Sequence, residues 1–368
     1  MMDLAAITNL LARTPIALQG HPALLAYLPP EIEVVPTLQA LLARLDEPHQ
    51  QHPTPLVTFD RDPQGRHRIP LVTCATDPYT AALNAVIATR YDTLAAHTLQ
   101  QSELGNEIVK LAQAYDVVVL LLIDGLAYRD VLTWPDQLGE AAKLAPCLAT
   151  NPTITRICFP QIIGNPPIAA RLFDLGFTTR VGFSYWARAD NELTDQLFAT
   201  IRDVRRCKDM KEVLTELGQM LSPLRHERVF VQIVRTGLDS SAHHMRELPP
   251  LDALRQQLLT GVKAVMGLLR QIKRHALMVV TSDHGILWAH EFTPQVIGHA
   301  TGSARYAPWR EGGSQQGQGL RAEVDGELYV ALPYPLLRRK LRSDEAGLHG
   351  GVSFQESITP FLTVEVLP

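Results

Sequence analysis

Carboxylate and imidazole side chains follow three apolar, strand-like runs of this chain. These side chains are Asp124, Asp239, His243, Asp283 and His284. Open α/β sheets bind their ligands in the crevice beyond the carboxyl ends of their strands, so side chains at three such ends can meet. Mixed nitrogen and oxygen ligands suit zinc or manganese. The pattern therefore predicts a metal-dependent enzyme.

The spacing within each pair constrains the local structure. Asp239 and His243 are four positions apart, so on a helical turn both side chains lie on one face and can bind one ion. Asp283 and His284 are adjacent and would diverge on a regular strand. They converge only if the chain bends, and Gly285, which has no Cβ, permits the bend.

A further candidate ligand, His349, lies near the end of the chain. It precedes Gly350-Gly351 and a capping box that runs from Ser353 to Glu356, so a well-specified helix start would hold its loop. We interpret Glu356 as a capping residue rather than a ligand.

Two threonines of the segment 151–156 are candidate nucleophiles. Thr153 and Thr155 precede a predicted helix at 157–163, whose first backbone N–H groups can receive a phosphate oxygen. A divalent ion lowers the pKa of a coordinated hydroxyl enough for attack on phosphorus. The alternative is that either threonine only caps the helix. Cys158 is set aside as a phosphatase nucleophile, because Gly164 stands where such enzymes carry an arginine.

The elements that must position these residues alternate along the chain. From residue 117 onward, strand-like runs at 117–123, 228–234 and 276–280 alternate with helical patterns, the clearest of which is at 251–272. This alternation predicts an α/β fold, a three-layer α/β/α sandwich with a mostly parallel sheet. The Gly-, Gln- and Ser-rich segment 288–326 has no sustained period and predicts a loop region near the sheet.

Residues 1–115 contain predicted helices and strands but few candidates for catalysis or metal binding. A helix is predicted after Thr37 from four leucines at 38–45, and strands at 56–59 and 69–73 flank a turn and predict a hairpin. An apolar stripe at 83–94 predicts another helix. We expect a smaller N-terminal α+β region at 1–115, a subdomain or lid, and a catalytic domain at 116–368.

Composition limits the classes of partner. The 368 residues are 46% hydrophobic and 20% charged, and a net charge of −4 gives no general attraction to nucleic acid. The longest apolar run of the chain is far shorter than the roughly 18 residues of a membrane-spanning helix, so no membrane segment is expected. No secretory signal is visible. The four cysteines form no Cys-x-x-Cys pair, which favours a cytoplasmic location and argues against a thiolate zinc site.

These motifs, in their order along the chain, resemble the alkaline phosphatase superfamily, especially its nucleotide pyrophosphatase/phosphodiesterase branch, and most closely the PglZ domain. The motifs are Asp124-Gly125, Pro152-Thr153-Ile154-Thr155, Asp239-Ser240-Ser241-Ala242-His243, Asp283-His284-Gly285 and His349-Gly350-Gly351-Val352-Ser353-Phe354-Gln355-Glu356. The resemblance covers residues 117–366. It implies an alkaline phosphatase-like sandwich in which an apolar strand follows Glu356.

The resemblance also implies roles for the candidate residues. One divalent ion would be bound by Asp239, His243 and His349, and the other by Asp124, Asp283, His284 and Thr155. Zinc is preferred as the metal and manganese is the alternative. Thr155 rather than Thr153 would be the nucleophile and form a phospho-threonine, while Arg156 would bind the substrate. The chain departs from the pattern at Ala242, where relatives have glycine, and His244 follows as a rival ligand.

The resemblance implies a phosphodiesterase or nucleotide pyrophosphatase that acts on a phosphate-ester small molecule or nucleotide. A phosphomonoesterase on the same scaffold stays open. A sulfatase is disfavoured because a threonine stands at the nucleophile position, and a phosphomutase because the distance from Thr155 to Asp239 leaves little room for an inserted domain. A non-enzymatic alternative is a PglZ-type subunit of a phage-defence complex, with a structural metal site and a protein partner bound through residues 1–115.

Overall fold

A computed structural model gives the structure of most of the chain after residue 97. It describes scattered positions before that residue and then 98–139, 141–163, 166–180, 205–221, 228–236, 238–244, 250–309, 319–324 and 326–368. The helix predicted at 38–45 and the strand predicted at 69–73 lie outside the described residues.

Eighteen strands are present in the described residues. In chain order they are β1 (Ile16–Ala17), β2 (Glu33–Val35), β3 (Leu56–Thr58), β4 (Leu99–Gln100), β5 (Val117–Ile123), β6 (Ala142–Leu148), β7 (Phe177–Arg180), β8 (Arg205–Cys207), β9 (Arg228–Arg235), β10 (Ala276–Thr281), β11 (Leu287–Trp288), β12 (Gln295–Val296), β13 (Tyr306–Pro308), β14 (Leu320–Val324), β15 (Glu327–Ala331), β16 (Leu336–Leu337), β17 (Gly347–Leu348) and β18 (Ile358–Val366).

Eight α-helices are bounded within the same residues. They are α1 (Leu104–Ala112), α2 (Trp134–Leu138), α3 (Thr155–Ile163), α4 (Pro166–Asp174), α5 (Met210–Leu221), α6 (Leu238–His244), α7 (Leu251–Gln271) and α8 (Phe354–Ser357). Short 3₁₀ helices lie at Gln101–Glu103, Tyr128–Val131 and Ala289–Glu291. Of the stripe predicted at 83–94, Ile87 is described, and it is helical and fully buried.

An eight-stranded sheet forms the centre of the molecule. Its order is β4-β6-β18-β10-β5-β9-β7, with β8 also paired to β9. Every pairing is parallel except the two that β18 makes, with β6 and β10. All seven residues of β5 are buried, as expected for an apolar run in a parallel sheet covered on both sides. The predicted mostly parallel sheet is confirmed.

Alternate residues of the strands pack into two separate cores. In β5, Val119 and Leu121 face the side covered by α2, α5 and α7, while Val118 and Leu120 face the side covered by α1, α3 and α4. Each fully buried Val or Leu side chain contributes about 1.5–3 kcal/mol by leaving water. The architecture is therefore the predicted three-layer α/β/α sandwich.

The direction of the strands decides where the loops that carry chemistry lie. Strands β5, β6, β9 and β10 all run the same way, so the segments that follow them leave the sheet at one edge. Strand β18 runs the opposite way and begins at that edge, where Ile358 pairs with Leu148 at the end of β6. The segment before β18 therefore reaches the same edge as the other four.

Two predictions about connecting segments are wrong. Strand β3 is the middle strand of a small parallel sheet between β1 and β2, so both of its edges are occupied and it is not half of a hairpin. The segment predicted as a loop at 288–326 contains β12, β13 and β14, because their backbone groups pair with β15 and β16 further along the chain. Residues 310–318 and 325 of that segment lie outside the described residues.

The sheet also receives elements from before the predicted domain boundary. Strand β4 pairs with β6, and Leu104 and Ile108 of α1 are fully buried in the core. We propose that the catalytic unit begins before Leu99 rather than at residue 116. In the part of the chain that the structure describes, no helix is both long and apolar enough to cross a bilayer.

Candidate metal centre

Segments after three neighbouring strands carry five of the candidate ligands. Asp124 follows β5, Asp239 and His243 lie on α6 after β9, and Asp283 and His284 follow β10. Gly125 brings two of these segments together: its φ is +81°, and a Cβ there would lie 3.0 Å from the backbone nitrogen of Asp239.

The first cluster contains Asp239, His243 and His349. The Nε2 atoms of the two histidines are 2.8 Å apart, and Asp239 Oδ1 lies 3.2 Å from His243 Nε2 and 3.3 Å from His349 Nε2. The spacing of Asp239 and His243 on α6 thus places both on one face, as the sequence predicts. The rival His244 is the last residue of α6, and the described side chains do not include it.

The second cluster contains Asp124, Thr155, Asp283 and His284. His284 Nε2 lies 3.1 Å from Thr155 Oγ1, 3.5 Å from Asp283 Oδ2 and 3.9 Å from Asp124 Oδ1. The Asp283 and His284 side chains are fully buried. The bend after β10 therefore brings two adjacent side chains to one place, although they would diverge on a regular strand.

The imidazole ring of His284 connects the two clusters. It stacks on the ring of His349 with centroids 4.0 Å apart and planes 8° apart. Two groups of ligand atoms, each within 4.8 Å of one another, share it: Asp124, Asp283 and His284 form one group, and Asp239, His284 and His349 form the other. The structure thus brings together all seven residues predicted as ligands, across more than two hundred positions of sequence.

Backbone carbonyls orient two of the imidazoles. His349 Nδ1 lies 2.9 Å from the carbonyl oxygen of Thr153, and His284 Nδ1 lies 3.2 Å from that of Gly285. With a cation bound, donation of Nδ1–H to these carbonyls would leave the Nε2 lone pair of each ring to the metal, as is usual for histidines that bind metals.

Charge in the centre is unevenly distributed. Burial and the neighbouring His284 lower the pKa of His349 to about 3, so its ring is neutral at pH 7. Burial also acts to lower the pKa of His284, but the charges of Asp283, Asp124 and Asp239 raise it above its usual value. Burial works against ionisation of Asp239, yet the hydrogen bond from His243 holds its pKa well below its usual range.

The donor set fits a metal cation. Asp283 Oδ2 is buried and receives no hydrogen bond from the described part of the chain. Two imidazole nitrogens that approach to 2.8 Å must share a proton or a cation, and the neutral ring of His349 offers a lone pair. Buried carboxylates and neutral imidazoles are the ligands that zinc and manganese accept.

The hydroxyl of Thr153 has a different environment from that of Thr155. Thr153 is fully buried, and its Oγ1 donates to the carbonyl of Gly351 and accepts from the N–H of Gly350, both at 3.0 Å. It fastens the loop of His349 to the segment before α3. Thr155, the first residue of α3, has its hydroxyl among the candidate ligands instead.

The guanidinium of Arg156 contacts residues outside the candidate metal centre. Its guanidinium donates to the hydroxyl of Tyr329 at 2.7 Å and lies 3.4 Å from Glu327, and the arginine and glutamate side chains are each 66% exposed. A substrate-binding role for Arg156 stays a prediction.

The described part of the chain resembles several solved structures. Murine ectonucleotide pyrophosphatase/phosphodiesterase 5 has a TM-score of 0.49 and 11% identity, and the match covers 67% of this chain and 87% of that chain. Another structure of the same murine protein is an inactive variant in complex with AMP. Phosphonoacetate hydrolase from Sinorhizobium meliloti 1021, in complex with phosphonoformate, has a TM-score of 0.42 and 13% identity, covering 69% and 90%. The C-terminal periplasmic domain of phosphoethanolamine transferase EptC from Campylobacter jejuni has a TM-score of 0.35 and 9% identity, covering 68% and 78%.

All three are members of the alkaline phosphatase superfamily. These likenesses concern the fold alone, and the closer resemblance of the sequence to the PglZ domain stays a prediction. No family model and no curated protein sequence matches this chain.

Cys158 lies close to the centre without taking part in it. Its buried Sγ donates to the carbonyl of Thr150 at 3.0 Å, and burial raises the pKa of the thiol well above its usual value. We expect Cys158→Ala to keep its hydrolytic rate within about threefold, since loss of two weak thiol hydrogen bonds leaves the ligands in place. Native Cys158 should also resist alkylation by iodoacetamide at pH 8, because no thiolate forms there. Loss of activity in the alanine variant, or rapid labelling of Cys158, would favour a cysteine mechanism.

Two further features of the centre become visible only in the structure. A Cβ on Gly285 would lie 2.0 Å from the carbonyl oxygen of Gln355, so this glycine is needed for close packing as well as for a bend. Ser282 is fully buried; its Oγ accepts from the N–H of Leu126 and donates to the carbonyl of His284, and so joins the segments after β5 and β10.

Gln101 is a positioning residue that the sequence did not reveal. It is fully buried in the 3₁₀ helix before α1; its Nε2 donates to the carbonyl of Asp283 at 2.6 Å, and its Oε1 accepts from the N–H of Thr150 at 3.2 Å. It therefore connects the metal-ligand segment after β10 with the segment that leads to Thr155. A glutamine that follows another glutamine just after a two-residue strand carries no sequence signal for this role.

Replacement of Gln101 by methionine should lower both stability and activity. The change keeps the volume of the side chain but leaves the buried carbonyl of Asp283 and the partly buried N–H of Thr150 without this partner, which costs about 1–3 kcal/mol. Because the Gln101 amide orients the segment that carries the ligand Asp283, its loss should also reduce kcat by about 10–100-fold. Thermal unfolding and steady-state kinetics check this, with Gln113→Met at an exposed position as the control. Unchanged values for Gln101→Met would refute the positioning role.

Proposed function

We propose that this protein is a phosphodiesterase or nucleotide pyrophosphatase that requires two divalent metal ions and acts through a phospho-threonine intermediate. The observation that carries the proposal is the position of the Thr155 hydroxyl, 3.1 Å from the Nε2 atom of His284, which also faces the buried carboxylates of Asp124 and Asp283. A threonine placed among such groups has a lowered barrier to losing its proton once a cation is bound.

The ligands divide into two sets. Asp239, His243 and His349 would hold one ion, and Asp124, Asp283, His284 and Thr155 the other. Bound ions, for which zinc is the preferred identity, would lower the pKa of the Thr155 hydroxyl and stabilise the charge on the attacking and leaving oxygens of the ester.

The chain itself supplies the nucleophile and the orientation. Thr155 Oγ attacks phosphorus, and the Oγ–P bond forms as the bond from phosphorus to the leaving oxygen breaks. A water molecule then cleaves the Oγ–P bond and releases the second product. Carbonyls of Thr153 and Gly285 keep the rings of His349 and His284 in the orientation that this site requires.

The start of α3 is suited to the phosphate group. The first N–H groups of a helix have no acceptor within the helix, and the helix dipole favours an anion there. Thr155 and Arg156 are the first two residues of α3, so we assign Arg156 a contribution through its backbone N–H. Its guanidinium is bound to Tyr329 and Glu327 on the surface.

The proposal is tested with metal-free protein reloaded with zinc or manganese. We expect turnover of bis(p-nitrophenyl) phosphate and of a p-nitrophenyl nucleotide ester that chelator abolishes and added metal restores. Faster turnover of p-nitrophenyl phosphate would instead indicate a monoesterase. A protein that binds metal but hydrolyses none of these esters would contradict the proposal and favour the non-catalytic subunit of a defence complex. A cytoplasmic location and a partner bound through residues 1–115 stay predictions from the sequence.

A further inference from the structure

A fully buried ion pair lies behind the loop of His349. Arg305 and Glu356 have side chains with 0% exposure. The guanidinium meets the carboxylate in a two-pronged contact, with Nε 3.0 Å from Oε1 and Nη2 2.5 Å from Oε2. Its third nitrogen, Nη1, donates to the carbonyls of Leu336 and Pro333. Glu356, interpreted from the sequence as a helix cap, is thus chiefly the partner of an arginine.

The carboxylate of Glu356 holds the glycines after His349. Its Oε1 accepts from the N–H of Gly351 at 2.9 Å, and its Oε2 accepts from the hydroxyl of Ser353 at 2.6 Å. A Cβ on Gly351 would lie 2.3 Å from Arg305 Nη2, so only a glycine lets the backbone lie against the guanidinium. Ser353 caps the N–H of Glu356 as predicted.

The same glycines bind the segment that carries the nucleophile. Thr153 Oγ1 contacts the N–H of Gly350 and the carbonyl of Gly351, and the carbonyl of Thr153 faces His349 Nδ1. A continuous series of contacts therefore runs from the ion pair through Gly351 and Thr153 to the ring of His349. Thr155 is two residues beyond Thr153.

We propose that Arg305 is a positioning residue for the metal centre, which acts through Glu356 and Gly351 on the orientation of His349. This inference rests on the proposed function. A buried ion pair stabilises a fold little, because desolvation of the charges offsets their attraction, and apolar replacements are often neutral. The fork of arginine fixes the carboxylate in a plane, which a lysine cannot do. Orientation of the His349 loop is therefore what the pair contributes.

The test is the double variant Arg305→Met with Glu356→Leu, which removes both charges together. Its matched control is Arg339→Met with Glu345→Leu, a partly buried arginine–glutamate pair whose carboxylate accepts from the N–H of Arg342 instead. We expect both proteins to fold, judged by circular dichroism and thermal unfolding. Zinc affinity, measured by competition with a chromogenic chelator, should fall by about 10–100-fold for one equivalent in the first variant only. The kcat of the Arg305→Met, Glu356→Leu variant should fall with little change in its KM.

Conservative single variants keep the test decisive if the double variant does not fold. Arg305→Lys keeps the charge but not the fork, and Glu356→Gln keeps an acceptor for Gly351, so each should show a smaller loss of zinc affinity than the double variant. Wild-type zinc affinity and kcat in the folded variants would overturn the role of Arg305 while the proposed function stands. Wild-type protein that binds neither zinc nor manganese would instead overturn the proposed function, and this inference with it.

Discussion

Thr155→Ala should reduce the hydrolysis of a phosphodiester by at least about 10³-fold, because removal of a covalent nucleophile leaves only ground-state binding and electrostatics. The protein should fold normally, since the change removes a single hydroxyl, whose contact in the described structure is with His284 in the centre and not with the packed cores of the sheet. Most of the metal should remain, since Asp124, Asp283 and His284 are unchanged. Steady-state kinetics and elemental analysis of the purified variant check both expectations.

Two companion variants separate the nucleophile from its neighbour. Thr155→Ser keeps a hydroxyl and should retain a measurable part of the rate. Thr153→Ala removes two buried hydrogen bonds to Gly350 and Gly351, which should cost about 1–3 kcal/mol of unfolding free energy, but it leaves the nucleophile in place.

Acid-quenched reactions with wild-type protein locate the intermediate directly. Mass spectrometry of the digested protein should place the phosphoryl group on Thr155. Full activity of Thr155→Ala with intact metal content, or phosphate on Thr153, would show that the nucleophile is wrongly assigned.

His284→Ala should have the second large effect, a loss of bound metal together with an activity loss greater than about 100-fold. Replacement of a residue behind a metal ligand already costs about 10–100-fold, so loss of a ligand should exceed that. His284 faces Asp124, Asp283 and Thr155 and stacks on His349, so its removal disturbs both ligand sets at once. The variant also leaves the buried carboxylates of Asp124 and Asp283 without the imidazole that faces both of them.

An exposed histidine offers the matched control. His290 lies in the 3₁₀ helix after β11 and is exposed to solvent, so His290→Ala should keep wild-type metal content and rate. Elemental analysis of both variants after gel filtration gives the metal stoichiometry, and thermal unfolding confirms that each is folded. If His284→Ala bound two equivalents of zinc as tightly as the wild type, the assignment of His284 as a ligand would be refuted.

Local patterns were sufficient to predict the strands that carry the centre. Strand β5 is the predicted run 117–123, and β9 and β10 each extend one residue beyond the predicted ends. Helix α7 ends within one residue of the predicted helix at 251–272. These predictions succeed because continuous apolar runs and helical periodicity are properties of a few consecutive residues.

Local patterns do not predict which distant strands pair with each other. The sequence predicts an apolar strand after Glu356, but not that β18 inserts antiparallel between β6 and β10. That insertion brings His349 to the edge where the parallel strands end. The hairpin and loop predictions failed for the same reason, since the partners of β3 and of β12 to β14 are chosen by tertiary packing.

The sequence alone determined which residue types are candidates for the chemistry, namely the Asp and His side chains at strand ends and two threonines at a helix start, because local structure sets their spacing. Only the tertiary structure decided that His284 lies between both clusters, that Thr155 rather than Thr153 faces them, and that Gln101 and Arg305 support them. The physical reason is that a buried polar group must find its partner wherever the fold brings one. Gln101 and Asp283 are 182 positions apart, and nothing local to either residue encodes their contact.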